Sequence, residues 1–301
     1  MARREPHRTG FVAILGRPNA GKSTLLNALV GSKLAIIASK PQTTRTSIQG
    51  VLTTPRAQII FSDTPGIHKA ATPLNKRMMN AVREAAAAPD VVLLVIDALL
   101  NPSVEDAQAV DLVKKTGAPA IAVLNKIDWL EDKTKLLARI DHYRSLHDFA
   151  AYVPVSALKG QGLQELQEEI IAHLPEGSAM YPEDYLTDQP ERFLAAEILR
   201  EKVLHFARQE VPHAVAVAID SWEDDGRLVR IAATIFVERP GQKAILIGSQ
   251  GAALKKIGTQ ARLELERILG RKVFLETLVK VRPGWREDPA FLAVVDWRNE
   301  R

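Results

Sequence analysis

Cysteine is absent from all 301 residues, so disulfides, thiol chemistry and cysteine-ligated zinc are excluded. No apolar run approaches the roughly 18 residues that a membrane-crossing helix needs. The opening MARREPHRTG lacks the apolar core of a signal peptide. Together these absences lead us to expect a cytoplasmic protein. Hydrophobic residues (46%) and charged residues (25%) stand in the proportions of soluble globular chains, and the length allows two domains with separate cores.

Net charge is also absent from most of the chain. Residues 1–191 carry 21 Lys+Arg against 21 Asp+Glu, whereas residues 192–301 carry 19 against 15, so the whole formal charge of +4 lies in the last third. A neutral front and a basic back predict two domains with different partners.

What is present is organised around FVAILGRPNAGKS, Phe11 to Ser23. An apolar run reads as a buried strand, Gly16 and Gly21 with Lys22 and Ser23 fit G-x-x-x-x-G-K-[ST], and TLLNALV continues as a helix. Glycines let backbone N–H groups curl around an anion, and the following helix adds its positive N-terminus. The loop Gly16, Arg17, Pro18, Asn19, Ala20, Gly21, Lys22, Ser23 and Thr24 is therefore expected to hold the phosphates of a nucleoside triphosphate. Lys22 is expected at the β- and γ-phosphates, and the Ser23 hydroxyl on Mg2+.

Apolar strands near 11–16, 48–54, 57–63, 91–97, 119–125 and 151–155 alternate with helices near 22–31, 74–87, 103–116, 133–149 and 162–174. VVLLVID and AIAVLN are apolar throughout, as strands covered on both faces must be. This is the pattern of an α/β domain with a doubly wound, mostly parallel sheet, whose ligands sit at the carboxyl ends of the strands.

The loops at those ends carry the chemistry. Asp63-Thr64-Pro65-Gly66 offers a carboxylate for Mg2+ and a glycine N–H for a γ-phosphate. In Asn125-Lys126-Ile127-Asp128, Asp128 can accept hydrogen bonds from guanine N1–H and its exocyclic amine, which adenine lacks. The Lys126 stem can cover the base plane, and the backbone of Ser156-Ala157-Leu158 can meet guanine O6. The polar segment 39–46 contains Thr43 and Thr44, either of which can ligate Mg2+ when a γ-phosphate is present; Thr44 is the preferred candidate. Lys22, Thr44 and Gly66 are the residues expected to act on the reacting phosphate.

These motifs in this order resemble the translation-factor-related GTPases over the first 175 or so residues. The resemblance implies Mg2+-dependent GTP hydrolysis. The residue after Asp-Thr-Pro-Gly is Ile67, not glutamine, and an isoleucine cannot orient a water, so intrinsic turnover is expected to be slow. GTPases similar in this respect, with asparagine where Asn19 sits, use K+ as an added charge, and the resemblance carries that K+ to Asn19.

Pro175–Arg192 reads as an ordered, stiff connection, giving a GTPase domain over 1–175, a linker over 176–191 and a third part over 192–301. An amphipathic helix near 193–208, strands near 213–222 and 228–239 around a D-G turn, and a G-x-x-G at Gly248-Ser249-Gln250-Gly251 follow. A helix over 251–269 and a strand over 272–282 complete the part. Five basic and no acidic residues lie between Arg239 and Leu263. That order resembles a type II KH domain, an α+β fold that grips about four single-stranded nucleotides. RNA contacts are expected at Gly248, Ser249, Gln250, Gly251, Lys255 and Lys256. The tail 285–301, with Phe291 and Trp297, reads as a capping helix, with membrane or RNA contact as the alternative.

A GTPase domain followed by IGSQGAALKKIGTQAR resembles the Era-like family of bacterial GTPases over essentially the whole chain. That resemblance implies a monomeric, GTP-dependent factor that binds 16S ribosomal RNA near its 3′ end, assists 30S subunit maturation and attaches peripherally to the inner face of the cell membrane. The alternatives are an RNA chaperone for which hydrolysis is incidental, or a GTPase acting on another RNA or at the membrane.

Overall fold

A computed structural model describes residues 6–38, 40, 43–67, 72–132, 134–207 and 215–296. These form two compact units, one drawn from Met1–Ala35, Thr44–Ala70 and Asn75–Asp188, the other from Ile36–Thr43, Ala71–Leu74 and Gln189–Arg301.

The first unit is a six-stranded sheet built from β1 (Arg8–Leu15), β2 (Ile48–Thr53), β3 (Ala57–Asp63), β4 (Val91–Asp97), β5 (Ala120–Asn125) and β6 (Ala151–Pro154), in the order β2-β3-β1-β4-β5-β6. All neighbours are parallel except β2 with β3. The helices α1 (Lys22–Val30), α2 (Pro73–Ala85), α3 (Val104–Thr116), α4 (Thr134–Leu146) and α5 (Leu163–His173) connect them. Because successive side chains of a strand point to opposite faces, Val12 and Ile14 join the core with α1 and α5, while Ala13 and Leu15 join the core with α2 and α3. Burial of both faces is the reason the strands read as uninterrupted apolar runs. The doubly wound α/β class expected from the sequence is the one found.

Register fixes where the strands end together. Ile14 pairs with Asp63, and Asp97 pairs with Asn125, so the phosphate loop, Asp63, Asp97 and Asn125 share one edge of the sheet. The connection after α5 is bonded to the open edge of this sheet. Gln58 Oε1 accepts from the N–H groups of Met180 and Tyr181, and Val51 N–H donates to Leu186 O at 2.8 Å. An edge strand presents unpaired backbone groups, and this strap satisfies two of them on β2, Val51 N–H and the Gln49 carbonyl that accepts from Thr187 Oγ1.

The second unit runs α6 (Glu191–Phe206), β7 (Ala216–Asp224), β8 (Leu228–Val237), α7 (Pro240–Ile247), α8 (Ala252–Leu269), β9 (Lys272–Val281) and α9 (Pro289–Val294). Its sheet is ordered β7-β8-β9, with β8 antiparallel to β7 and parallel to β9. One face packs on α6 and α8 through Ile198, Val203, Ile231, Ile235, Ile257, Ala261 and Leu265. The helix α7 was not expected from the sequence. Pro240 and Gly241 look like a turn, but proline at a first helical position loses no hydrogen bond, and Gln242 Oε1 accepts from the Arg239 N–H at 3.0 Å. Residues 213 and 214 of the expected strand, and Trp297 of the tail, lie outside the described residues. Within the tail, Trp285 and Phe291 are buried, and the Phe291 ring packs edge-on against Phe236, so its described part caps the sheet.

Two buried charged residues of α6 face the short segment Ile36–Thr43 that belongs to the same unit. Glu201 accepts from Ile37 N–H at 2.8 Å, and the Arg200 guanidinium donates to the Thr43 carbonyl while pairing with Glu197.

Candidate functional site

The loop between β1 and α1 is shaped by its glycines. A Cβ on Gly16 would lie 2.4 Å from Val95 O, and one on Gly21 would lie 2.3 Å from Asn125 Nδ2, both at positive φ. Only glycine fits. Asn19 takes the left-handed conformation that asparagine tolerates. Lys22 closes the ring by donating to Gly16 O at 3.1 Å and Arg17 O at 3.0 Å. Burial lowers its pKa to about 8, tempered by the nearby Asp63 charge.

Beside it stands a cluster of three oxygen-bearing side chains. Ser23 Oγ donates to Asp63 Oδ2 at 2.6 Å and lies 2.8 Å from Thr44 Oγ1. Asp63 is fully buried, and burial raises its pKa to about 6 despite the Lys22 charge and the Ser23 hydroxyl. Its Oδ1 is buried with no hydrogen-bond partner. A buried carboxylate oxygen without a donor, beside two hydroxyls, is a fit for a hard divalent cation that prefers oxygen. Thr43 does not join this cluster: its hydroxyl donates back to Ala38 O and Lys40 O.

The turn after β3 lies directly on the phosphate loop. Thr64 Oγ1 donates to Ile14 O at 2.8 Å, and a Cβ on Gly66 would meet Pro18 Cα at 2.6 Å. The Ile67 side chain is buried in the core with α2 and α3 and carries no polar atom, while its backbone N–H donates to Gly16 O at 3.4 Å.

The base side is held by Asn125. Its Nδ2 donates to Ala20 O at 2.9 Å, and its Oδ1 accepts from the N–H groups of Lys126 (2.8 Å) and Ala157 (3.0 Å). One buried amide thus ties three loops together. Lys126 Nζ donates to Asn19 O at 2.8 Å and pairs with Asp97 at 2.6 Å. Asp128 accepts from Ser156 Oγ at 2.6 Å, while Leu158 is exposed. Sequence reasoning missed Asp97; its signal was a carboxylate ending the apolar run VVLLVID at the edge where the other motifs sit.

The second unit carries a separate groove. Gly248, Gln250 and Gly251 all have positive φ, and a Cβ on Gly248 would lie 2.7 Å from the Ala253 Cβ. Next to this turn is a cavity of about 300 Å³ lined by Gly251, Leu254, Lys255, Gly258, Arg262 and Leu275 among others. Gly251, Lys255, Gly258 and Arg262 recur at helical spacing on one face of α8, a period legible in the sequence but not exploited. Lys256 is exposed and does not line the cavity.

Fold and sites together define a phosphate-loop GTPase joined to a KH-type nucleic-acid-binding module. Family models agree: one described as "50S ribosome-binding GTPase" matches residues 11–126, and one described as "KH domain" matches residues 210–286. The GTPase Era of Geobacter metallireducens is 50% identical over 289 residues, covering 95% of this chain and 97% of that one. The GTPase Era of Syntrophus aciditrophicus is 48% identical over 287 residues, covering 95% and 94%. Among solved structures, Era in complex with MgGDPNP and nucleotides 1506–1542 of 16S ribosomal RNA matches with a TM-score of 0.92 at 43% identity, over 96% of this chain and 98% of that one. An Aquifex aeolicus Era variant bound to GDP and AlF4 matches with a TM-score of 0.91, also at 43% identity and with the same coverage of each chain. The chain belongs to the Era family of GTPases.

Proposed function

We propose that this GTPase is a switch whose groove beside Gly251 holds single-stranded RNA at the 3′ end of 16S ribosomal RNA, and that it assists maturation of the 30S subunit. The observation that carries the RNA reading is the groove itself: an apolar floor of Leu254 and Leu275, flanked by Lys255 and Arg262, beside a glycine turn. Bases stack on such a floor while the backbone passes over the glycines. An Era 43% identical to this chain has been solved with that RNA. In this reading residues 1–175 are the GTPase domain, 176–191 the connection, and 192–301 the RNA-binding domain; Gly248, Ser249, Gln250, Gly251, Lys255 and Lys256 touch RNA.

In the nucleotide site Lys22 exchanges the Gly16 and Arg17 carbonyls for the β- and γ-phosphates, and the Gly66 N–H donates to the γ-phosphate. Ser23, Thr44 and Asp63 would hold Mg2+, which supplies positive charge against the phosphate oxygens. Asp128 accepts from the guanine N1–H and amine, Lys126 covers the base, and the backbone from Ser156 to Leu158 meets O6. The buried Ile67 side chain leaves the attacking water without a side-chain partner, so intrinsic turnover is slow, and K+ held at Asn19 would add the missing charge. Thr44 directly follows the segment whose ends Arg200 and Glu201 hold. Rearrangement of Thr44 on hydrolysis is therefore transmitted to α6 through Thr43. The reading extends to a cytoplasmic monomer that attaches peripherally to the inner face of the cell membrane; no helix among the described residues is long and apolar enough to cross one.

Fluorescence anisotropy with three labelled RNAs, in the presence of Mg·GDPNP, tests the assignment: the 16S 3′ end, a scrambled control and a transfer RNA. The 3′-end RNA should bind best, and Gly251→Asp should remove that preference. Equal affinity for all three would overturn the ribosomal assignment.

A further inference from the structure

The phosphate loop contains a second cation that points away from the loop. The Arg17 carbonyl is turned inward, accepting from Lys22 Nζ at 3.0 Å, while its side chain leaves in another direction and is 10% exposed. There Nη1 donates to Asp106 Oδ2 at 2.9 Å and reaches Asn101 O at 3.4 Å. Asp106 belongs to the first turn of α3. The same Oδ2 accepts from the N–H and the hydroxyl of Ser103, both at 2.9 Å, as half of a capping box. The carboxylate is thus held by the start of a helix and cannot follow a shifting loop. Tyr143 of α4, fully buried, stands with its hydroxyl beside Asp106, and Arg139 of the same helix secures Asn101 through Oδ1 at 2.7 Å.

An arginine so placed has its Nη1 committed to Asp106 and Asn101, at the start of α3 and in the turn before it. Its planar guanidinium is a rigid tie, and the backbone it ties is a glycine-containing loop whose N–H directions decide how well an anion is held. Breaking a buried pair from one side strands a charge, so the pair resists displacement. We propose that Arg17 is a positioning residue of the phosphate loop, anchored by Asp106, and that the N-terminus of α3 thereby sets the affinity for the β-phosphate. Arg17 contacts no phosphate itself. The proposal rests on the phosphate-loop reading above.

Titrations of the full chain with Mg·GDP and with GMP, read by displacement of a fluorescent guanosine diphosphate, test it in Arg17→Ala, Asp106→Asn and the double variant. Asp106→Asn is isosteric and retains the fold if Arg17→Ala does not. Each single variant should weaken GDP binding by roughly 10- to 100-fold, as misplacement of a preorganised group by about 1 Å does. GMP binding should be unchanged, because GMP has no β-phosphate; the double variant should be no worse than the poorer single one. Equal losses for GDP and GMP would reduce Arg17 to a merely structural residue and overturn the proposal. Loss in Arg17→Ala with unchanged or tighter binding in Asp106→Asn would make Arg17 a phosphate ligand and overturn it too. Wild-type GDP affinity in the variants overturns the inference alone, whereas a wild-type protein that binds GDP no better than GMP overturns the phosphate-loop reading beneath it.

Discussion

In the nucleotide site the polar groups are buried and, apart from Asp63 Oδ1, already hydrogen-bonded, whereas in the second unit the groove's Lys255 stands in water. Lys22, Asp63 and Asn125 are 6%, 0% and 2% exposed, and each is held by partners drawn from other loops or kept in place by the fold. Lys255 and Lys256 are exposed on α8. The first arrangement spends its desolvation and ordering during folding, so a ligand meets fixed dipoles and each lost contact is felt in full. The second relies on charge acting through solvent, so its affinity is spread over many groups and falls with salt. Breaking either site therefore takes a different kind of perturbation.

The largest effect should come from Asp128→Ala. It leaves the guanine N1–H and amine without an acceptor, at about 1–3 kcal/mol each, so GTP affinity should fall roughly thirtyfold or more while ATP affinity stays as weak as before. Equilibrium titration with both nucleotides checks this, and unchanged discrimination would mean the base is read elsewhere. Next in size is Gly251→Asp, which forces a side chain into φ +79 and sets a carboxylate where phosphate should pass. RNA affinity should drop about tenfold or more with GDP affinity unchanged, since strain of this kind costs on the order of 1–2 kcal/mol before charge is counted.

A salt titration sharpens the comparison. The slope of log affinity against log salt for RNA should become shallower by about 0.7 for each of Lys255→Ala and Lys256→Ala, while both variants hold GDP as the wild type does. A last effect is one of pH. In the nucleotide-free protein the Lys22 pKa is about 8, below its ordinary 10.5. The unfolded chain then holds the proton more tightly, so stability of the free protein rises as pH rises from 8 to 10.5. Phosphates favour the charged lysine, so GDP affinity should fall by up to about tenfold per pH unit above 8. Calorimetry in buffers of different ionisation enthalpy should show proton uptake on binding at pH 8.5; none would mean Lys22 stays charged in the empty site.

The parts legible in the sequence are those where one residue type has one physical use. Glycines at 16, 21, 248 and 251 mark backbone that a Cβ would block or strain, and both-face burial wrote the strands as apolar runs. Other features depend on pairs brought together only by the fold. Asp97 with Lys126, and Arg17 with Asp106, join residues far apart in the chain, and nothing in either residue's neighbourhood names its partner. The strap joins the sheet through the Gln58 side chain, the Thr187 hydroxyl and one backbone bond to β2, pairings between residues far apart in the chain. The helix α7 was hidden because Pro240-Gly241 has the composition of a turn. On α8 the groove face runs as a period of Gly251, Lys255, Gly258 and Arg262, of which Gly258 and Arg262 carry no motif that marks them in the sequence.

If nucleotide state governs RNA binding as proposed, the decisive comparison is affinity for the 16S 3′-end RNA with the protein saturated by Mg·GDPNP and by Mg·GDP. A switch carried through Thr44 and the α6-held segment predicts a difference of roughly five- to a hundredfold, the range of ordinary coupling between sites. Equal affinities in the two states would contradict it, leaving a GTPase and an RNA-binding module that share a chain without sharing a signal.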